Sequence, residues 1–183
     1  MPINDRTNDR TNDRTNVRGT GHGRDEAALR IRPAAVTDVA TLCAIAWAAK
    51  AHWPYPPEWM ESWRAALTLT DPDLERWRVR VAQLDALGVV GFSAASTGAP
   101  SWVVEHLWVF PASHGRGVGR ALLLDVVAAA RTSGAAVVEL DADPHSEPFY
   151  LRVGGMRVTT IPAPMPGAPG RELPRIHFDA RAG

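Results

Sequence analysis

The sequence of 183 residues contains one cysteine, Cys43, so no disulfide can form within the chain. Cys43 lies in an Ala/Leu/Ile-rich segment and reads as a small buried apolar residue rather than a nucleophile. Without a disulfide framework the default compartment is the cytosol, and a cytoplasmic location is expected. Net charge is missing too: 20 basic residues balance 20 acidic ones, so neither nucleic acid nor an anionic membrane is attracted at long range. No apolar run is long enough to cross a bilayer, and the N-terminus has no apolar signal core. No two histidines recur at ligand spacing and no cysteines are paired, so no metal site is expected.

The chain does contain three tandem copies of Asn-Asp-Arg-Thr, from Asn4 to Thr15, followed by a Gly-rich stretch. These residues offer almost nothing to bury, and ordering them would cost entropy without return. Residues 1–27 are therefore expected to be a disordered low-complexity tail, and residues 28–183 one domain.

Within that domain Leu29 to Arg32 alternates as a strand that stops at Pro33. Thr37 or Asp38 then caps a helix through Val39, Leu42, Cys43, Ile45 and Ala46, ending near His52. A Pro-rich turn leads to a second helix with Trp59, Met60, Trp63 and Leu67 on one side, and Asp71-Pro72-Asp73 breaks the chain. Arg76 to Leu84, Val89 to Ala95 and a strand ending at Val109 form an antiparallel meander. A helix from about Gly117 to Arg131, a strand at Ala136 to Leu140, and a helix holding Tyr150 come next. Strands at Met156 to Ile161 and Arg175 to Phe178 close the domain.

The densest signal is Val109-Phe110-Pro111 followed by His114-Gly115-Arg116-Gly117-Val118-Gly119-Arg120, a strand, a glycine loop and an apolar helix in succession. Glycines let main-chain N–H groups approach a ligand, and the helix adds unpaired amides and its positive dipole end, so an anion is expected there. Arg120-Ala121 stands where an ATP-binding loop needs Lys-Ser/Thr, and no third glycine completes a dinucleotide fingerprint.

The loop resembles the acetyl-CoA loop of the GNAT superfamily of N-acetyltransferases, with His114 where Gln or Arg is usual. A second segment, Asp143-Pro144-His145-Ser146-Glu147-Pro148-Phe149-Tyr150-Leu151-Arg152-Val153-Gly154-Gly155-Met156, is similar to that family's Asn-x-x-Ala-x-x-Phe-Tyr-x-x-x-Gly-Phe. Asp143 takes the Asn position and can cap a helix with Pro144 at its first residue, which puts Pro148 inside that helix. The resemblance implies a mixed α/β fold with a mostly antiparallel sheet and helices on both faces, in the order β-α-α-β-β-β-α-β-α-β-β. It also implies acetyl-CoA as acyl donor, held by Val109, His114, Gly115, Arg116, Gly117, Val118, Gly119, Arg120 and Asp143, and an amine acceptor from a small molecule or peptide.

Direct transfer from a thioester to an amine needs an acid for the departing thiolate, and the Tyr150 phenol, of pKa about 10, suits that role. It also needs a base for the protonated amine, for which Glu105 and His106 on the preceding strand are the candidates. Strand alternation sends those two to opposite faces, with Glu105 on the face of Leu107 and Val109. In this fold the acceptor pocket is bordered by the first two helices and the late hairpin, which points to Trp53 and Tyr55 for substrate binding and to the stretch from Pro162 to Pro174. His145 is expected to face water. A non-catalytic acyl-CoA sensor on the same fold is the alternative, and a homodimer stays open.

Overall fold

A computed structural model describes residues 28–181, so the tandem repeats and the disorder expected of residues 1–27 lie outside the described residues. Seven strands form one sheet in the order β1-β2-β3-β4-β5-β7-β6. β1 (Leu29–Pro33), β2 (Arg78–Leu84), β3 (Gly88–Ser96) and β4 (Ser101–Val109) run antiparallel to one another in turn. β5 (Val137–Asp141) is parallel to β4, and β7 (Glu172–Asp179) lies antiparallel between β5 and β6 (Met156–Pro162). The expected mixed, mostly antiparallel α/β architecture is present.

Both faces of the sheet are covered because its strands present apolar side chains in both directions. α1 (Val39–Ala51) buries Leu42 and Ile45 with Phe92 and Ala94 on one face. α4 (Val118–Thr132) buries Leu123 and Val126 with Val104, Val138 and Ile176 on the other. Each such side chain removed from water contributes roughly 1.5–3 kcal/mol.

Between β1 and β2 there are three helices rather than two: α1, α2 (Pro57–Ser62) and α3 (Asp71–Arg76). Asp71-Pro72-Asp73 starts a helix instead of breaking the chain. The Thr70 N–H donates to the Asp73 carboxylate at 2.8 Å, and the proline falls in the first turn, where its missing N–H costs nothing. A similar shift occurs later. α5 (Glu147–Arg152) starts four residues beyond Asp143, so Pro148 sits in its first turn and no helix interior is disturbed.

Two irregularities shape the site. β4 pairs with β5 only over Ser101–Val103, so the rest of β4 parts from β5 and leaves a gap. β4 also carries a bulge: Ala94 pairs with His106 and Ala95 with Val104, which skips Glu105. The extra residue reverses the alternation, so Trp102 and Val104 pack beneath α4 before the bulge and Leu107 and Val109 do so after it.

Candidate functional site

The Phe110 N–H donates to the Val90 carbonyl at 2.9 Å, which sets the hydrogen-bonding sense of the end of β4. Neighbouring residues alternate, so the N–H and carbonyl of Val109 point away from β3 into the gap that β5 leaves. There the His114 ring donates from Nε2 to the Val109 carbonyl at 3.1 Å, since a carbonyl only accepts. Gly115 and Gly117 follow at φ values of 77° and 76°, a left-handed backbone that side-chain-bearing residues rarely adopt. Gly117 is the N-cap of α4.

Among the described residues, no acceptor takes the main-chain N–H groups of Gly115, Arg116, Gly117, Val118, Gly119 and Arg120. Consecutive free donors at the positive end of a 15-residue helix form an anion cradle. Gly119 also serves packing, because a Cβ there would lie 3.2 Å from the Phe149 ring, and its absence lets α4 and α5 approach.

Beside the cradle is a groove of about 520 Å³, bordered by Val109, His114, Gly115, Gly117, Val118, Gly119, Arg120 and Tyr150. Arg116 is exposed on the loop and does not border the groove. Arg152, at the end of α5, does border it, although a single exposed arginine gave no signal in the sequence. Tyr150 is 8% exposed, and its hydroxyl has no hydrogen-bond partner among the described residues. Burial, reinforced by the Asp143 charge, raises its pKa above the ordinary phenol value, so the hydroxyl keeps its proton at neutral pH.

Glu105 and His106 border neither this groove nor the second cavity described below. Glu105 is the bulged residue, exposed and hydrogen-bonded to the Ser96 hydroxyl, and it does not share the face of Leu107 and Val109. That one inserted residue breaks the alternation on which its expected direction rested. His106 packs edge-on to Trp77, with ring centroids 5.1 Å apart, and its Nδ1 accepts from Trp108 Nε1 at 3.1 Å. Burial lowers its pKa below the ordinary histidine value of 6.5, against the raising effect of the Glu105 and Asp73 charges. A depressed histidine contributes stability that is present above about pH 6.5 and is lost as pH falls through the folded value. Substituting Gln for His106 is expected to flatten stability between pH 7 and pH 5, read as the urea midpoint at each pH.

Asp143 does not cap α5 and does not border the groove, which corrects its expected place in the donor site; Ser146 precedes the helix instead. The carboxylate turns to the opposite side. It is ion-paired to Lys50 at 2.5 Å, accepts from the Tyr55 hydroxyl at 2.6 Å, and accepts from the His145 N–H at 3.0 Å. Burial works to raise the Asp143 pKa, but the Lys50 charge and these hydrogen bonds outweigh it and hold the carboxyl below the usual aspartate range. Burial likewise pulls the Lys50 ammonium below its ordinary value, against Asp143. Lys50 is the only lysine in the sequence and sits on the buried face of α1 with Leu42, Ile45, Ala46 and Ala49. That solitary lysine inside an apolar helix was the available signal for it.

The Lys50–Asp143 pair borders a second cavity of about 310 Å³, with Trp63, Asp141, Arg171 and the chain from Ala163 to Met165. Trp108 borders both cavities, so they adjoin. Tyr55 enters through its bond to Asp143, while Trp53 stacks on His145 with centroids 4.7 Å apart and lines the larger groove. His145 is exposed yet belongs to the groove wall. Trp59 Nε1 donates to the Pro166 carbonyl at 2.8 Å and so ties α2 to the late excursion. Cys43 is half-buried, its sulfur 3.2 Å from the Leu69 N–H.

Comparison with known proteins bears on the family and the fold. The acetyltransferase (GNAT) family matches residues 39–155. No curated protein matches the sequence. Among solved structures, the chain is similar to the PaiA N-acetyltransferase of Thermoplasma acidophilum in complex with coenzyme A (TM-score 0.71, 18% identity, covering 83% of this chain and 99% of that one). It is similar to a GCN5-related N-acetyltransferase of Rhodopseudomonas palustris (TM-score 0.67, 22% identity, 82% and 94% covered). The ribosomal-protein-S18-alanine N-acetyltransferase of Escherichia coli also resembles it (TM-score 0.63, 15% identity, 85% and 96% covered). Identities this low speak for the fold alone.

Proposed function

The chain belongs to the GNAT acetyltransferase family, and on that premise we propose that it moves an acetyl group from acetyl-CoA to the amine of a small acceptor by direct attack. The free N–H groups of Gly115, Gly117, Val118, Gly119 and Arg120, which border one groove with Tyr150, carry this reading. Consecutive free amides at a helix N-terminus suit a diphosphate, and Arg120 and Arg152 border the same groove for further phosphate charge. When bound, acetyl-CoA supplies the thioester whose acyl carbon the acceptor attacks.

The remaining work belongs to this chain's own groups. The Val109 N–H, pointing into the gap beside β4, is aimed where negative charge develops on a carbonyl oxygen. The Tyr150 hydroxyl holds a proton that no acceptor among the described residues engages, and donates it as sulfur departs. No base role is assigned to Glu105 or His106, because both lie outside the two cavities. Asp143 is a weak base, since its carboxyl is held below the ordinary range; it fixes Lys50 and Tyr55 in place, the acceptor's own ammonium gives its proton to water, and water restores the Tyr150 proton after the thiol leaves.

The test is release of CoA thiol from acetyl-CoA when purified protein is offered a broad panel of small amines and peptide N-termini. Turnover with at least one small amine is the expected result. Thermal protection by acetyl-CoA with no thiol released by any acceptor would favour a non-catalytic acyl-CoA sensor instead.

A further inference from the structure

The smaller cavity carries more positive charge than its own carboxylates neutralise. Lys50 is matched by Asp143. Asp141 is matched by Arg175 through two bonds of 2.7 and 2.9 Å. Arg171 borders the same cavity, and among the described residues no carboxylate lies within ion-pair distance of it. Its neighbours orient it without neutralising it. Nη1 donates to the Ala163 carbonyl at 3.2 Å, and the guanidinium lies 5.5 Å from the Trp63 ring centroid and 5.8 Å from that of Trp59. A guanidinium has five N–H donors in a planar fork that matches a carboxylate; the Ala163 carbonyl and the Tyr55 hydroxyl oxygen engage part of that fork and leave other donors for a ligand.

A half-buried cation on a cavity wall can take an anion from a ligand, and the two carboxylates that line this cavity are already paired. We propose that Arg171 receives the carboxylate of the acceptor, so that the acceptor is a small amino carboxylate: an amine and a carboxylate in one molecule, sized to a cavity of about 310 Å³. The inference rests on the acetyltransferase reading and narrows it. Polycationic amines are disfavoured, because Arg171, the lining cation with no carboxylate partner among the described residues, would repel a second positive charge.

Matched acceptors test this: amino acids, their carboxamides, and the amines left after removal of the carboxylate. Wild-type protein is expected to favour the carboxylates at least tenfold in kcat/KM. Arg171→Gln is expected to raise KM for the carboxylates at least tenfold while leaving kcat, and the neutral acceptors, within about twofold; Arg171→Lys should recover part of the loss. A variant that merely misfolded would lose all acceptors alike. A second readout needs no turnover: with CoA present, N-acetylated amino acids should protect wild-type protein, but not Arg171→Gln, from thermal unfolding. Carboxamides or plain amines turned over as well as the acids would overturn the assignment, as would equal protection by N-acetylated acids and their amides. Absence of thiol release from every acceptor would count against the acetyl-transfer reading, while the protection measurement would still decide the role of Arg171.

Discussion

Replacing Asp143 with alanine is expected to lower the stability of the fold by about 3 kcal/mol, because it strands the Lys50 ammonium in a place that water barely reaches. Both side chains are only 10% exposed, so neither charge is hydrated well enough to stand alone. The Tyr55 hydroxyl and the His145 N–H lose their acceptor in the same step. For a domain of this size the loss corresponds to a melting point lower by roughly 6–12 °C. Removing both charges at once has a different consequence. A Lys50→Met, Asp143→Leu double variant leaves no uncompensated ion and should recover most of the loss, although the acceptor cavity would be rebuilt and activity would not return. The acid limb of stability gives a third check. The Asp143 carboxyl is depressed in the folded chain relative to the ordinary value of 3.8, so its contribution is complete above about pH 4 and is lost as pH falls through the folded value. In Asp143→Asn that part of the acid loss should be missing. Unchanged melting of Asp143→Ala would show that the pair is not sequestered as described.

What was legible in the sequence was whatever depends on neighbours in the chain. Gly115 and Gly117 sit in a strand–loop–helix run, and only a left-handed turn needs glycine at both positions, so the cradle could be read directly. The order of strands followed from alternation and turn residues. Three features were hidden, each for a physical reason. α3 looked like a break, because Asp-Pro-Asp suits a turn as well as a helix's first residues, and only the Thr70–Asp73 capping box decides between them. The bulge at Glu105 adds one residue with no compositional mark, yet it moved the candidate base out of reach of both cavities. Asp143 had a local meaning as a helix cap and a distant one as the partner of Lys50 and Tyr55, 93 and 88 residues away. The distant meaning won because a buried lysine in α1 demands a carboxylate, and Asp143 supplies it.

Phenylalanine at position 150 is expected to cut kcat at least tenfold, about 1.4 kcal/mol of barrier, with KM for acetyl-CoA nearly unchanged. The ring stays packed among Leu123, Val126 and Ile176, so the variant removes one oxygen and little else. That oxygen makes no hydrogen bond to the described residues, and stability should therefore move by less than about 0.5 kcal/mol. Activity and stability part company here, whereas at Asp143 they fall together. The pH profile adds a constraint that a structural tyrosine would not meet. Burial and the Asp143 charge raise the phenol above its ordinary value of 10, so wild-type kcat should show no fall assignable to Tyr150 ionisation below about pH 10. If the proton comes from this hydroxyl, the Phe variant should regain part of its rate with acyl thioesters whose thiols are more acidic, since they leave without help. A variant with wild-type kcat on every thioester would mean that water protonates the sulfur and that Tyr150 only walls the groove.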